Sequence, residues 1–260
     1  MSARFFGEFM GTAVLILMGN GVVANVLLKR SKAEGAGWGA IAAGWAFAVM
    51  CGVFTATACG SPDAHLNPAV TLGMAIISGD FSKFWPFLMA QLLGAIVGAI
   101  FVWLHFLPHW RQTEDPSLKL ACFSTSPAIW NVGANLLSEI IGTFVLVTVV
   151  AAIFSKKVAL MGPAAALGPY LVGVLVWAIG LSLGGTTGYA INPARDLGPR
   201  LFSSLAGWGS VPFTVNGMGW LTVYIIAPVV GGLLGGGIYR VFLQPNYESS
   251  AAPIPGEGVP

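Results

Sequence analysis

The chain has 260 residues, of which 56% are hydrophobic and only 8% charged, with a mean hydropathy of +0.80. A water-soluble domain carries roughly a quarter charged residues, so this composition excludes one and leaves lipid as the surrounding solvent. The net charge of +2 is too small to suggest nucleic acid, and the three cysteines (Cys51, Cys59, Cys122) form neither a disulfide framework nor a metal-ligand spacing.

Six apolar stretches reach the roughly 20 residues that a spanning helix requires: about 5–28, 38–58, 84–107, 135–155, 167–184 and 218–243. The N-terminus lacks an Ala-x-Ala-like cleavage site and reads as the first span rather than a signal peptide. Residues 29–37 form a charged, glycine-containing connector, and 108–134 reads as a long loop punctuated by Pro108, Pro116 and Pro127. Lys156 and Lys157 divide the middle of the chain, and the Pro/Gly/Ser-rich segment 244–260 reads as a disordered tail.

Two further apolar stretches are too short to cross. Residues 66–78 contain Asn67-Pro68-Ala69, and residues 191–204 contain Asn192-Pro193-Ala194. Ten helical residues cover about 15 Å, half of a bilayer. Short, Pro-interrupted segments at matching places in two halves mark re-entrant half-helices in an inverted repeat.

The repeat is visible position by position. Glu8-Phe9-Met10-Gly11-Thr12 corresponds to Glu139-Ile140-Ile141-Gly142-Thr143, and Ala90, Gly94 and Gly98 correspond to Ala227, Gly231 and Gly235. Three spans per half is an odd number, so the halves lie in opposite orientation and their half-helices meet tip to tip near the midplane. The expected fold is an all-α membrane protein: six transmembrane helices plus two re-entrant half-helices in an inverted 3+3 repeat. One domain covers 1–243, with repeat 1 at about 5–107 and repeat 2 at about 135–243.

Loop charge leaves the orientation open. With the N-terminus inside, Arg4, Lys83, Lys156, Lys157 and Arg240 stand inside, against Lys29, Arg30, Lys32, Arg111 and Lys119 outside.

Asn is a good N-cap and Pro is favoured at the first helical position. That capping role also places chemistry. A helix N-terminus carries about half a positive charge and several unpaired N–H groups. Two such tips at the midplane repel cations, including hydronium. The side-chain amides of Asn67 and Asn192 would donate to a passing hydroxyl or water oxygen, and donors aimed one way interrupt a proton wire.

Ala64-His65-Leu66-Asn67-Pro68-Ala69-Val70-Thr71 and Gly188-Tyr189-Ala190-Ile191-Asn192-Pro193-Ala194-Arg195-Asp196-Leu197-Gly198-Pro199-Arg200 strongly resemble the aquaporin superfamily (major intrinsic proteins). Asp196 directly after Arg195 resembles its glycerol-facilitator, or aquaglyceroporin, branch. The resemblance covers about residues 5–243. It implies a right-handed bundle, cytoplasmic termini, one pore per subunit and a homotetramer in the cell membrane. The implied cargo is glycerol, water and similar small neutral solutes, with no cofactor.

The resemblance places the family's narrowest constriction at Trp45, Gly180, Tyr189 and Arg195. Arg195 is costly in a membrane segment unless it faces a polar cavity. Its fork holds two adjacent hydroxyls, Trp45 and Tyr189 offer apolar walls, and Gly180, lacking a side chain, widens the opening. Tyr189 departs from the Phe common in glycerol facilitators. That departure keeps lactic acid, dihydroxyacetone, urea or hydrogen peroxide open as cargo.

Glu8 and Glu139 are intramembrane carboxylates, read as acceptors for loop N–H groups in preference to a proton relay. Carbonyls of Ala64, His65 and Leu66, and of Gly188, Tyr189 and Ala190, are expected to form an acceptor ladder. Gly60-Ser61-Pro62-Asp63 departs from the family's Ser-Gly-Ala-His approach and puts the inner end of that ladder in question. Asp196 and Arg200 read as half-helix supports, and Asp196 lies near an N-terminal turn, where negative charge is favoured. Gly7-x-x-x-Gly11, Ser138-x-x-x-Gly142, Gly94-x-x-x-Gly98 and Gly231-x-x-x-Gly235 read as close helix crossings.

Two other functions compete. A coupled secondary transporter needs a titratable or ion-ligating midplane cluster, where this sequence offers Asn. A membrane-junction protein predicts contact surfaces that one sequence does not reveal. No nucleophile–base or metal constellation supports catalysis.

Overall fold

The computed structural model describes residues 2–155, 158, 167–214 and 219–244. The tail 245–260, the pair Lys156 and Lys157, and residue 218 lie outside them. The described chain is helical. Its long helices are α1 (Ala3–Leu27), α2 (Trp38–Ala58), α4 (Phe84–His105), α7 (Val132–Ile153) and α10 (Gly219–Leu243), each long and apolar enough to cross a membrane. Between them stand the half-helix α3 (Pro68–Ser78), the short α5 (Leu107–Gln112) and α6 (Pro116–Ala121), then α8 (Gly168–Ser182) and the half-helix α9 (Pro193–Ser203).

The fifth expected span appears as α8, whose 15 residues cover about 22 Å at 1.5 Å per residue. Residues 159–166, which precede it, lie outside the described set.

The stretch 108–134 is not the long loop its prolines suggested. Asp115 caps α6 by accepting from the Ser117 amide at 2.7 Å, with Pro116 in the first helical position. Asn131 caps α7, accepting from the Ala134 amide at 3.1 Å, and starts that helix at Val132 rather than 135. In α10 the wider π-helical turn Thr222–Ile226 is separated from Pro228 by Ala227 alone. Proline has no N–H and its ring crowds the carbonyl four residues back, and a π turn accommodates both.

The two halves repeat in atomic detail. A Cβ added to Gly94 would run into the Phe9 carbonyl, and one added to Gly231 would lie 2.5 Å from the corresponding Ile140 carbonyl. Gly98 meets the Ala13 carbonyl as Gly235 meets that of Phe144. Only glycine permits this approach of backbone to backbone. Gly142, by contrast, meets the side chain of Ile191, so Ser138-x-x-x-Gly142 is no helix crossing.

The halves also exchange their short helices. The half-helix α3 packs on α10, where a Cβ at Gly236 would lie 2.5 Å from the Gly73 carbonyl. The half-helix α9 packs on α4, where a Cβ at Gly198 would lie 2.5 Å from that of Ala95. Each half-helix is thus seated on the third span of the opposite half. Outward-facing Phe47, Phe54, Phe101, Trp177 and Leu234 are exposed, the apolar surface that acyl chains cover.

Candidate functional site

The site begins with two caps. Asn67 Oδ1 accepts from the Ala69 amide at 2.8 Å, and Asn192 Oδ1 accepts from the amides of Ala194 at 3.0 Å and Arg195 at 3.1 Å. Pro68 and Pro193 occupy the first helical positions, where no intrahelical N–H bond is lost. Capping of this kind contributes about 1 kcal/mol per helix.

Each Asn amide also reaches across the repeat. Asn67 Nδ2 donates to the Ile191 carbonyl at 2.8 Å, and Asn192 Nδ2 donates to the Leu66 carbonyl at 2.8 Å. The two half-helix N-termini are therefore tied tip to tip inside the protein. One N–H of each amide is committed to the tie, which fixes the direction of the other. The Leu66 carbonyl, expected in the acceptor ladder, serves this tie.

The segments leading into the half-helices are unusual and matched. Ala64 and Leu66 have φ of +42° and +54°, and Tyr189 and Ile191 have +38° and +41°. Four non-glycine residues in left-handed backbone cost on the order of 1 kcal/mol each. Two buried carboxylates hold them. Glu8 accepts from the amides of His65 (2.9 Å) and Leu66 (2.8 Å), and from Ser61 Oγ and Gln91 Nε2. Glu139 accepts from the amides of Ala190 (2.9 Å) and Ile191 (2.8 Å). Glu8 is 0% and Glu139 1% exposed. Charged hydrogen bonds of this kind are what make an intramembrane carboxylate tolerable.

Around this junction lies a cavity of about 430 Å³. Its wall includes Trp45, Tyr189 and Arg195, then Asn67 and Asn192, then Ala64, His65, Leu66, Ala190 and Ile191, with Val53, Val70, Leu146 and Val176 as apolar lining. Gly180 and Gly188 stand behind that wall. The Tyr189 ring fills the space at Gly180, where a Cβ would lie 3.0 Å from the phenol oxygen. Gly188 lies against Thr125 and donates to the Gly184 carbonyl at 2.9 Å. Trp38 braces the same corner, donating from its indole to the Gly180 carbonyl at 2.8 Å and meeting Tyr189 edge-on at 5.7 Å.

Arg195 is 8% exposed, and its guanidinium carbon lies 4.2 Å over the Trp45 ring. This is a cation–π contact in a desolvated setting. The neighbouring Asp196 does not neutralise it. Asp196 turns to Arg200, 2.7 Å away, and accepts from the Thr125 amide at 2.9 Å. Arg200 also donates to the carbonyls of Thr125 and Pro212. The Asp196–Arg200 pair thus pins the loop after α6 to α9 and leaves Arg195 facing the cavity as a net cation.

At the opposite end of the cavity stands Asp63, the departure noted in the sequence. It accepts from Lys83 Nζ at 2.9 Å and lies 3.8 Å from Arg4, joining α1, the α2–α3 loop and the start of α4. His65 Nδ1 lies 3.2 Å from Thr71 Oγ1, with its ring edge-on to Phe87.

Sequence reasoning missed Ile191, Gln91, Thr125 and Trp38. Ile191 was discoverable, because it stands 125 positions after Leu66 as Asn192 does after Asn67. The other three touch the site through long-range hydrogen bonds that carry no local signal.

Comparisons with known proteins agree with this architecture. The profile of the Major intrinsic protein family matches residues 1–239. A probable glycerol uptake facilitator protein of Thermotoga maritima is 50% identical over 238 residues, 91% of this chain and 97% of that protein. Glycerol uptake facilitator protein 3 of Lactiplantibacillus plantarum is 48% identical over 243 residues, 93% of this chain and 97% of that protein. The crystal structure of the aquaglyceroporin from Plasmodium falciparum superimposes with a TM-score of 0.83 at 30% identity, covering 95% of this chain and 99% of that one. The chain belongs to the Major intrinsic protein family: it is a multi-pass membrane channel and not an enzyme.

Proposed function

We propose that this protein is a passive channel for glycerol, other small uncharged solutes and water, and that it excludes ions and protons. The observation that carries the reading is the reciprocal tie of Asn67 to Ile191 and Asn192 to Leu66. It sets two positive helix ends face to face on the wall of a cavity. A neutral solute exchanges water hydrogen bonds for those of the wall, whereas a cation meets two helix dipoles and the Arg195 charge.

In this reading Arg195, Trp45 and Tyr189 form the selectivity filter, with Gly180 leaving room for the tyrosine. Hydroxyls face Arg195 and C–H groups face the rings. The remaining N–H of each Asn amide serves solute oxygens at the midplane. Free carbonyls among Ala64, His65, Tyr189 and Ala190 accept solute hydroxyls on the way, while Gly188, expected in the same ladder, stands behind the wall. Glu8, Glu139 and Asp196 support this backbone and do not move protons. The names of the relatives and of the structural neighbour support glycerol as cargo. We assign the protein to the cell membrane as a homotetramer, with both termini cytoplasmic.

The test is purified protein in liposomes. Glycerol-driven reswelling should speed up well above empty vesicles, with no conducted current. Saturating, proton-coupled uptake would instead identify a transporter.

A further inference from the structure

The aromatic wall at Trp45 rests on a gap in α1. A Cβ built on Gly19 would lie 2.6 Å from Cη2 of Trp45 and nearer still to Cζ3 and Cε3. Ordinary carbon contacts are about 3.5–4.0 Å. The nearest three atoms all belong to that one ring, so among the described residues nothing else outside the helix's own backbone restricts position 19 as closely. Gly21, on the same helix, has nothing among the described residues within 4 Å of its Cβ position beyond the helix's own backbone. Of these two glycines near the C-terminal end of α1, Gly19 is required by contact and Gly21 is not.

Trp45 is 4% exposed. It has α1 on one side, and on the other the cavity, with Arg195 Cζ 4.2 Å from the ring centroid. A methyl group on residue 19 must move the ring off α1, and the space open to it is the cavity. Displacement there narrows the gap between the indole and the guanidinium.

We propose that Gly19 is a positioning residue for selectivity: by letting Trp45 lie flush on α1, it sets the bore at the Trp45–Arg195 constriction and hence the largest solute that passes. The proposal rests on reading Trp45 and Arg195 as the filter. A hard wall discriminates by cross-section, so a small inward shift of the ring obstructs a three-carbon polyol long before it obstructs water.

The experiment compares wild type, Gly21→Ala, Gly19→Ala and the double variant Gly19→Ala/Trp45→Phe in liposomes of equal protein content. Permeabilities to water, urea, glycerol and erythritol are read for each. Gly21→Ala should keep the wild-type ratios. Gly19→Ala should lose glycerol permeability on the order of tenfold, and erythritol more, with water changed by under about twofold; this is the scale of overpacking strain expressed as a barrier. Phe lacks the outer ring atoms that Gly19 touches, so the double variant should recover glycerol flux.

Equal losses for every solute, unchanged ratios, or a double variant that stays as restricted as Gly19→Ala would overturn the proposal. If Gly19→Ala does not fold, a double variant that folds and conducts supports it, and one that also fails to fold overturns it. A wild type that passes no glycerol overturns the channel reading together with this proposal; a conducting wild type with unchanged Gly19→Ala ratios overturns the proposal alone.

Discussion

Asn67 and Asn192 each donate an amide hydrogen to the carbonyl of the residue immediately preceding the other, both at 2.8 Å. The pair forms a closed, two-fold clasp: each side chain caps its own half-helix with its oxygen and holds the opposite one with its nitrogen. Stability and solute chemistry are thereby linked in the same two side chains.

Replacing Asn192 by Asp separates those roles. The carboxylate still accepts from the amides of Ala194 and Arg195, so the cap persists. It has no hydrogen for the Leu66 carbonyl, and two acceptors then face each other in a buried site. A loss of roughly 1–3 kcal/mol follows from such an unsatisfied buried pair. The thermal midpoint in detergent should fall and glycerol flux should drop sharply, while helix content by circular dichroism stays unchanged. Full flux would show that the cross-tie is dispensable.

Glu139→Gln tests the support under the second half-helix. The carboxylate accepts from two neighbouring amides, Ala190 and Ile191. Glutamine offers one oxygen in their place and turns an NH₂ toward the second amide. One buried backbone donor is then left unpaired, at a cost of about 1–3 kcal/mol. The expected result is a lowered unfolding midpoint with solute ranking retained, read from thermal scans and a permeability panel. Lost proton exclusion with undiminished stability would mean that Glu139 acts as a relay instead.

The Asp196–Arg200 pair is buried on both sides, at 0% and 1% side-chain exposure. Removing one charge strands the other, and breaking a buried pair typically costs about 3–5 kcal/mol. Asp196→Asn is therefore expected to destabilise the protein more than Glu139→Gln. It should also loosen the loop around Thr125, detectable as faster amide exchange over residues 122–128. Matched stabilities of the two variants would contradict the ranking.

Arg195→Val removes the cation over Trp45 and leaves an apolar side chain of smaller size. Glycerol passage is expected to continue, while protons and small cations begin to leak, measured by a pH-sensitive dye and by current across planar bilayers. The leak appears because the fixed charge repels cations; the helix dipoles that remain act over a turn or so. Unchanged cation exclusion would take Arg195 out of the filter.

Much of this was legible in one dimension. Lipid as solvent followed from composition, because too few charges exist to cover a soluble surface. The spans and half-helices followed from run length, and the caps from Asn-Pro at each start, since capping is decided within four residues. The inverted repeat followed from paired Glu8/Glu139 and Gly94/Gly231. The helices within 108–134 were missed because the proline signal for a break outweighed Asp115-Pro116, which is equally a signal for a start.

Other features belong to the third dimension alone. Asn67 and Ile191 stand 124 positions apart, and no local rule selects that carbonyl over its neighbours. The choice follows from seating each half-helix on the far half's third span. Likewise the sequence shows Arg195 and Asp196 as adjacent opposite charges, a natural pair on paper. Consecutive residues of a helix point about 100° apart. The fold uses that angle to give Asp196 to Arg200 and Thr125, and to leave Arg195 beside Trp45. Residue identities and local caps were thus determined by the chain itself, whereas which charge stays free and how wide the filter opens depend on helices brought together from opposite ends of it.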